Sequence, residues 1–129
     1  MSDRITVILA DDSVDLCNAV ARAARFEPDI QVVRCVDSCT GLRELLVELK
    51  PSVLLMDLTM PGDDPMGLIP SIAEMVKVVA FSGYDDSDTR DRVLMAGAWG
   101  FVSKTQGPAD VFAAIRTVAA GQMYGLVPG

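Results

Sequence analysis

Asp11, Asp12, Asp57, Ser82 and Lys104 are residues whose types and placement could do chemistry, because each closes a short apolar run. The aspartate pair follows residues 5–10, Asp57 follows 53–56, Ser82 follows 77–81, and Lys104 follows Phe101, Val102 and Ser103. Carboxylates brought together repel: at about 4 Å and an effective dielectric near 20, a like-charged pair costs on the order of 4 kcal/mol. Such a cluster takes up a proton or admits a cation. Oxygen donors with no His or Cys among them favour Mg2+. Taken singly, each residue has an ordinary reading. Asp11 or Asp12 could cap a helix, Asp57 could merely end a strand, Ser82 could be a turn residue and Lys104 a solvated surface lysine. The specificity lies in the set.

The elements that would position this set are legible from periodicity. Residues 5–10 form a β-branched, almost wholly apolar run of the kind buried on both faces of a parallel sheet. Val14, Cys17, Val20, Ala21 and Ala24 recur at helical spacing up to Arg25, with Asp12 or Ser13 as cap. Residues 30–36 read as a second strand. A helix bearing Leu42, Leu45, Leu46 and Leu49 follows, with Asp37 or Ser38 as its cap and Pro51 as its stop. Residues 53–56 are the third strand, residues 60–65 a loop, and 66–75 a short helix that tolerates Pro70 only near its first turn. A fourth strand spans 77–81. The next helix starts on the charge of residues 85–88 and ends at Ala96 before a Gly97 cap. Phe101 and Val102 mark a fifth strand, and Pro108 opens a last helix closed by Gly121. Five βα units without repeat or linker make one α/β domain over residues 1–129, a parallel sheet covered on both faces.

All strands of such a sheet end at one edge, where ligands bind at the reversal of strand order. In the order 2-1-3-4-5, one known arrangement of doubly wound sheets, Asp57 faces Asp11 and Asp12 across one strand spacing of about 4.8 Å. Lys104 stands roughly 9.6 Å away, two spacings, within reach of its long side chain.

Composition narrows the rest. Half of the residues are hydrophobic and 22% are charged, which suits a globular domain and not a disordered one. No apolar run could cross a membrane, and Met1-Ser2-Asp3-Arg4 has no signal-peptide character, so a cytoplasmic location is expected. With net charge −7 and eleven scattered basic residues, the chain lacks the stripe that neutralises nucleic-acid phosphates, and no nucleic-acid binding by this chain is expected. Three cysteines without paired spacing and no histidine exclude mixed zinc sites and suggest reduced thiols packed as small apolar groups.

Four segments, taken in order, resemble the receiver domains of bacterial two-component response regulators over essentially the whole chain. They are Val7-Ile8-Leu9-Ala10-Asp11-Asp12, Leu55-Met56-Asp57-Leu58-Thr59-Met60-Pro61-Gly62, Ala80-Phe81-Ser82-Gly83 and Ala96-Gly97-Ala98-Trp99-Gly100-Phe101-Val102-Ser103-Lys104. The last of these, with residues 113–121, is most similar to receivers that carry a LuxR-type helix-turn-helix output domain. The resemblance implies a flavodoxin-like doubly wound (βα)5 fold of order 2-1-3-4-5. It implies that Asp57 is the phosphoacceptor, and that Asp12, Asp57 and the Thr59 carbonyl ligate Mg2+, with Asp11 acting mainly through water. Ser82 would bond a phosphoryl oxygen and Lys104 would pair with it. Phe101 would be the switch aromatic that turns inward as Ser82 moves, while Thr59 and Tyr84 would tune the lifetime of the phosphoryl group. The implied donor partner is a sensor histidine kinase. Phosphorylation would change the surface of the fourth helix, fifth strand and fifth helix, permit homodimerisation and control transcription through an output domain outside these residues. Such a protein is a switch that assists its own phosphorylation and dephosphorylation, not a turnover enzyme.

Some features depart from the family. Thr105 follows Lys104 where many receivers have proline, Phe101 lacks a tyrosine hydroxyl, and the loop after Asp57 is long before a short third helix. Three rivals stand beside this reading. A flavin domain would need a phosphate loop where Asp11 and Asp12 stand. A haloacid-dehalogenase-type phosphatase would need an aspartate in place of Thr59. The third is a docking module with a vestigial site.

Overall fold

The computed structural model describes residues 4–126. Five strands, β1 (Ile5–Ala10), β2 (Ile30–Val36), β3 (Val53–Asp57), β4 (Lys77–Ser82) and β5 (Gly100–Ser103), form one parallel sheet of order β2-β1-β3-β4-β5. Five helices alternate with them: α1 (Val14–Ala24), α2 (Leu42–Leu49), α3 (Pro65–Ile72), α4 (Ser87–Ala96) and α5 (Pro108–Ala119). The order and the alternation are those expected from the sequence.

Strand side chains alternate between faces, and this builds two cores. Val7, Leu9, Val53, Leu55, Val79, Phe81 and Val102 pack against α1 and α5. Ile8, Ala10, Leu54, Met56, Val78, Ala80 and Phe101 pack against α2, α3 and α4. With helices on both sides, every residue of β3 is buried. Such burial is the reason β1, β3 and β4 read as apolar runs and not as alternating ones, while β2, at the sheet edge, is interrupted by Gln31 and Arg34.

Three local expectations need correction. The cap of α2 is neither Asp37 nor Ser38: the helix starts after Gly41, which sits at φ 73 with no side-chain cap. Ser38 Oγ instead accepts the Thr40 N–H, and the Cys39 N–H goes to Asp63 Oδ2 across the site edge. The third helix is not 66–75. Asp64 caps it by accepting the Gly67 N–H, Pro65 takes the first position, and Pro70 falls in the interior, where it faces solvent. Proline there removes one helical hydrogen bond, and the helix ends two residues later. Nor are all three thiols packed inside: Cys17 is buried, Cys39 half-buried and Cys35 exposed, all free.

Arg116 of α5 ties down the turn before β2, with Nε 2.8 Å from Asp29 Oδ2 and Nη2 2.7 Å from Glu27 Oε1. The hydrogen bond from Arg116 holds the Asp29 carboxyl below its ordinary value of 3.8. A depressed carboxyl stabilises the fold above its unfolded value, and that contribution disappears as pH falls through the folded one. Asp29→Asn is therefore expected to lower the urea midpoint at neutral pH and to match the parent in acid. A difference that persists unchanged in acid would contradict the ion pair as its source.

Candidate functional site

The carboxyl edge of the sheet gathers the expected groups. β1 and β3 are neighbours, with Ala10 opposite Met56, so Asp11 and Asp57 leave adjacent strands side by side. Asp11, Asp12 and Asp57 each present a carboxylate oxygen within 4.8 Å of the others. Asp11 and Asp57 are buried to 1% exposure, whereas Asp12 is exposed. Neither member of the aspartate pair is the helix cap: Ser13 caps α1 by accepting the Leu16 N–H, and Asp11 Oδ1 accepts the Ser13 N–H at 2.9 Å. The capping reading of the pair is thereby removed.

Lys104 bridges the cluster from two strands away. Its Nζ lies 2.9 Å from Asp11 Oδ2 and 3.2 Å from Asp57 Oδ1, and 5.5 Å from the centre of the Phe81 ring below. Its backbone N–H donates to the Ser82 carbonyl, which fixes where the side chain departs. The turn after it is tightly bonded. Ser103 N–H donates to Gln106 Oε1, Thr105 N–H donates to Ser103 Oγ, and the Ser103 and Thr105 hydroxyls meet at 2.8 Å. No described peptide bond is cis, that between Lys104 and Thr105 included. These turn residues were not foreseen as positioning groups, although the polar run Ser103 to Gln106 directly after a strand is a turn signal.

Asp57 Oδ1 accepts the Thr59 N–H at 3.1 Å, while Oδ2 is buried without any donor. Burial raises the Asp57 carboxyl above its ordinary value and the Asp11 charge adds to this, against the Thr59 N–H and Lys104. Burial alone would lower the Lys104 ammonium, but the two carboxylates outweigh it and hold the proton on. Asp11 Oδ2 is engaged by the Lys104 ammonium at 2.9 Å. Asp57 Oδ2 is thus a buried oxygen with neither a hydrogen bond nor an ion pair in a cluster of three carboxylates, and a hard cation would satisfy it. The residues present fit such an ion.

Thr59 is exposed and borders a cavity of about 390 Å³ with Asp12 and Asp63. Ser82 is fully buried at the end of β4, its Oγ accepting the Tyr84 N–H at 3.0 Å, and it makes no hydrogen bond to the carboxylates. Tyr84 stands at the rim, 67% exposed. Phe101 points inward at 2% exposure, and the Arg90 guanidinium of α4 covers its ring at 5.1 Å, a contact no sequence pattern announces.

Comparison with known proteins adds the decisive observation: the family model described as the response regulator receiver domain matches residues 7–116. The chain belongs to that family. This receiver domain is 35% identical over 126 residues to the response regulator GacA of Pseudomonas syringae, covering 93% of this chain and 58% of that protein. It is 33% identical over 123 residues to the transcriptional regulatory protein UhpA of Escherichia coli, covering 93% of this chain and 61% of that one. The chain spans a little over half the length of these relatives. Among solved structures, it superposes on the receiver of the putative response regulator NarL from Mycobacterium tuberculosis with TM-score 0.86 and 25% identity, over 93% of this chain and 99% of that one. The isolated receiver of RcsB from Salmonella enterica serovar Typhimurium, with the phosphomimetic BeF3−, gives TM-score 0.83 and 25% identity, over 93% and 91%. Receiver domains accept phosphoryl groups in two-component signalling and bind Mg2+ at an acidic site. No helix among the described residues is long and apolar enough to cross a membrane.

Proposed function

We propose that this receiver accepts a phosphoryl group on Asp57 in a Mg2+-dependent reaction, from a phosphohistidine of a sensor histidine kinase in the cytoplasm. The observation that carries this reading is the buried Asp57 carboxylate, clustered with those of Asp11 and Asp12, whose Oδ1 meets Lys104 and whose Oδ2 has no hydrogen-bond donor. Asp11, Asp12, Asp57 and the Thr59 carbonyl would hold Mg2+, which would offset charge on the transferring oxygens. Asp57 is the nucleophile: Thr59 and Lys104 engage Oδ1, and the lone pairs on Oδ2 are free. A carboxylate oxygen bonds to phosphorus as the donor nitrogen, or the acetate of acetyl phosphate, departs. Lys104, already charged and aimed at the cluster, stabilises the transferred group with no reorganisation.

Ser82, whose Oγ accepts the Tyr84 N–H at rest, then donates its hydroxyl to a phosphoryl oxygen, and Phe101, already inward, stays in the space beside it. That contact exists only with the phosphoryl group in place, so it biases the surface of α4, β5 and α5 between two states. The readout is homodimerisation and control of transcription through an output domain, as in the regulators it resembles. Thr59 and Tyr84 border the path of water and set how long the group persists.

Intact mass after incubation with acetyl phosphate tests the reaction. The parent protein should gain one phosphoryl mass with Mg2+ and none with a chelator. Equal gain in chelator would remove the metal from the scheme, and no gain in either would remove the function.

A further inference from the structure

Beyond α5 the chain turns back onto the sheet. Gly121, at φ 88, reverses it, and Tyr124 then pairs with Gly100 in parallel along the outer edge of β5. Phe101 donates its N–H to the Tyr124 carbonyl at 2.9 Å, and Tyr124 donates to the Trp99 carbonyl at 3.1 Å. An open sheet edge offers unpaired backbone groups to any extended segment; here the protein's own segment after α5 takes those of Trp99 and Phe101.

The grip falls on Phe101. Gly125, at φ 72, passes so close that a Cβ there would stand 2.3 Å from the Phe101 carbonyl oxygen. Leu126, 7% exposed, enters the same apolar cluster as Phe101, Ala80 and Val93. Gly125 and Leu126 also line a small cavity against Ser87, Arg90 and Leu94 of α4, so the segment lies between α4 and the edge of β5. Phe101 is the register partner of Ala80, and Ser82 lies two residues further along β4, on the same face. The residue held by this segment is therefore next to the polar end of β4.

We infer that residues 122–126 form a strap whose docking on Phe101 is coupled to occupancy of the Asp57 site. The inference rests on the reading of Asp57 as phosphoacceptor. The strap is docked on the Phe101 backbone with the ring inward, and in that position the ring lies under the Arg90 guanidinium and shares its apolar cluster with Leu126. A phosphoryl group that draws Ser82 toward Asp57 favours the same inward ring. Two interactions that select one conformer strengthen each other, and by the same factor in both directions. Loading the site tightens the strap, and a docked strap raises the affinity of the site.

Amide exchange by NMR, with and without beryllofluoride and Mg2+ as a stable acyl-phosphate mimic, tests the coupling on the full chain. Protection of the Phe101 and Tyr124 amides should rise roughly five-fold or more on loading. Gly125→Ala and Leu126→Ala should each bind beryllofluoride more weakly, by a comparable factor, with core signals like those of the parent. Shifted Asp57 and Thr59 signals with unchanged protection at Phe101 and Tyr124, or parental affinity in both variants, would overturn the coupling alone. Unchanged Asp57 and Thr59 signals in the parent would overturn the site reading and the coupling with it.

Discussion

Asp57→Asn is expected to take up no phosphoryl group from acetyl phosphate, yet to be more stable than the parent protein when metal is chelated. The first half follows from chemistry, since an amide nitrogen and oxygen supply no anionic nucleophile. The second follows from electrostatics. Burial and the Asp11 charge raise the Asp57 carboxyl, so its ionised form is disfavoured in the folded state relative to the unfolded chain. With a raised carboxyl, stability falls as pH climbs through the folded value, and at neutral pH the charge is a net cost. Asparagine removes that cost. The gain should be about 1 kcal/mol, a fraction of the roughly 4 kcal/mol of an unscreened like-charged contact, because Lys104 already offsets part of the repulsion. Urea denaturation in chelator, at neutral and acid pH, is the measurement. A loss of stability at neutral pH would mean that the Lys104 pair outweighs burial and that the folded state favours the ionised carboxyl.

Lys104→Met should have the opposite signature. The ammonium sits 2.9 Å from Asp11 and 3.2 Å from Asp57, both carboxylates nearly without solvent. Removing one partner of a buried ion pair costs about 3–5 kcal/mol. The Lys104 side chain is 26% exposed, so water takes up part of the lost interaction, and a loss of about 2–3 kcal/mol is the expectation. Millimolar Mg2+ should restore most of it, because a divalent cation supplies the charge that the lysine did. Acid should restore it as well, through protonation of the carboxylates. Phosphoryl uptake should fall by roughly 10²-fold or more, the usual size for one preorganised charge on a transferring group. The double variant with Asp57→Asn should lose less stability than Lys104→Met alone, since the two positions share one interaction. An unchanged urea midpoint for Lys104→Met in chelator would show that the lysine does not hold the cluster together.

Together the variants separate two roles that one set of contacts fills. In the proposed reaction Asp57 is the acceptor, and on the expectation above its charge is a cost to the resting fold, as it often is for functional carboxylates. Lys104 pairs with two carboxylates of the resting cluster and, in the proposed reaction, meets the incoming charge. Thr105, in place of the proline of many receivers, does not disturb this, because its N–H and hydroxyl both bond Ser103 and secure the turn that aims Lys104.

What could be read in the sequence, and what could not, divides along a physical line. The strands were legible because a sheet buried on both faces demands uninterrupted apolar runs, and their polar ends were legible because parallel strands all finish at one edge. Asp11, Asp12, Asp57 and Lys104 were named from those ends, and the structure brings all four together. Helix starts were less secure. Several residues near Gly41 and Asp64 could cap equally well by type, and contacts between loops, such as Asp63 with Cys39, chose among them. Local pattern contains everything needed to place a side chain on a face or at an edge. It contains nothing about which distant backbone will lie beside it. Only the folded chain could decide that Asp57 Oδ2 meets no donor, that Arg90 covers Phe101, and that Tyr124, beyond α5, pairs with the edge of β5 at Gly100. Each depends on segments that meet only after the sheet has formed.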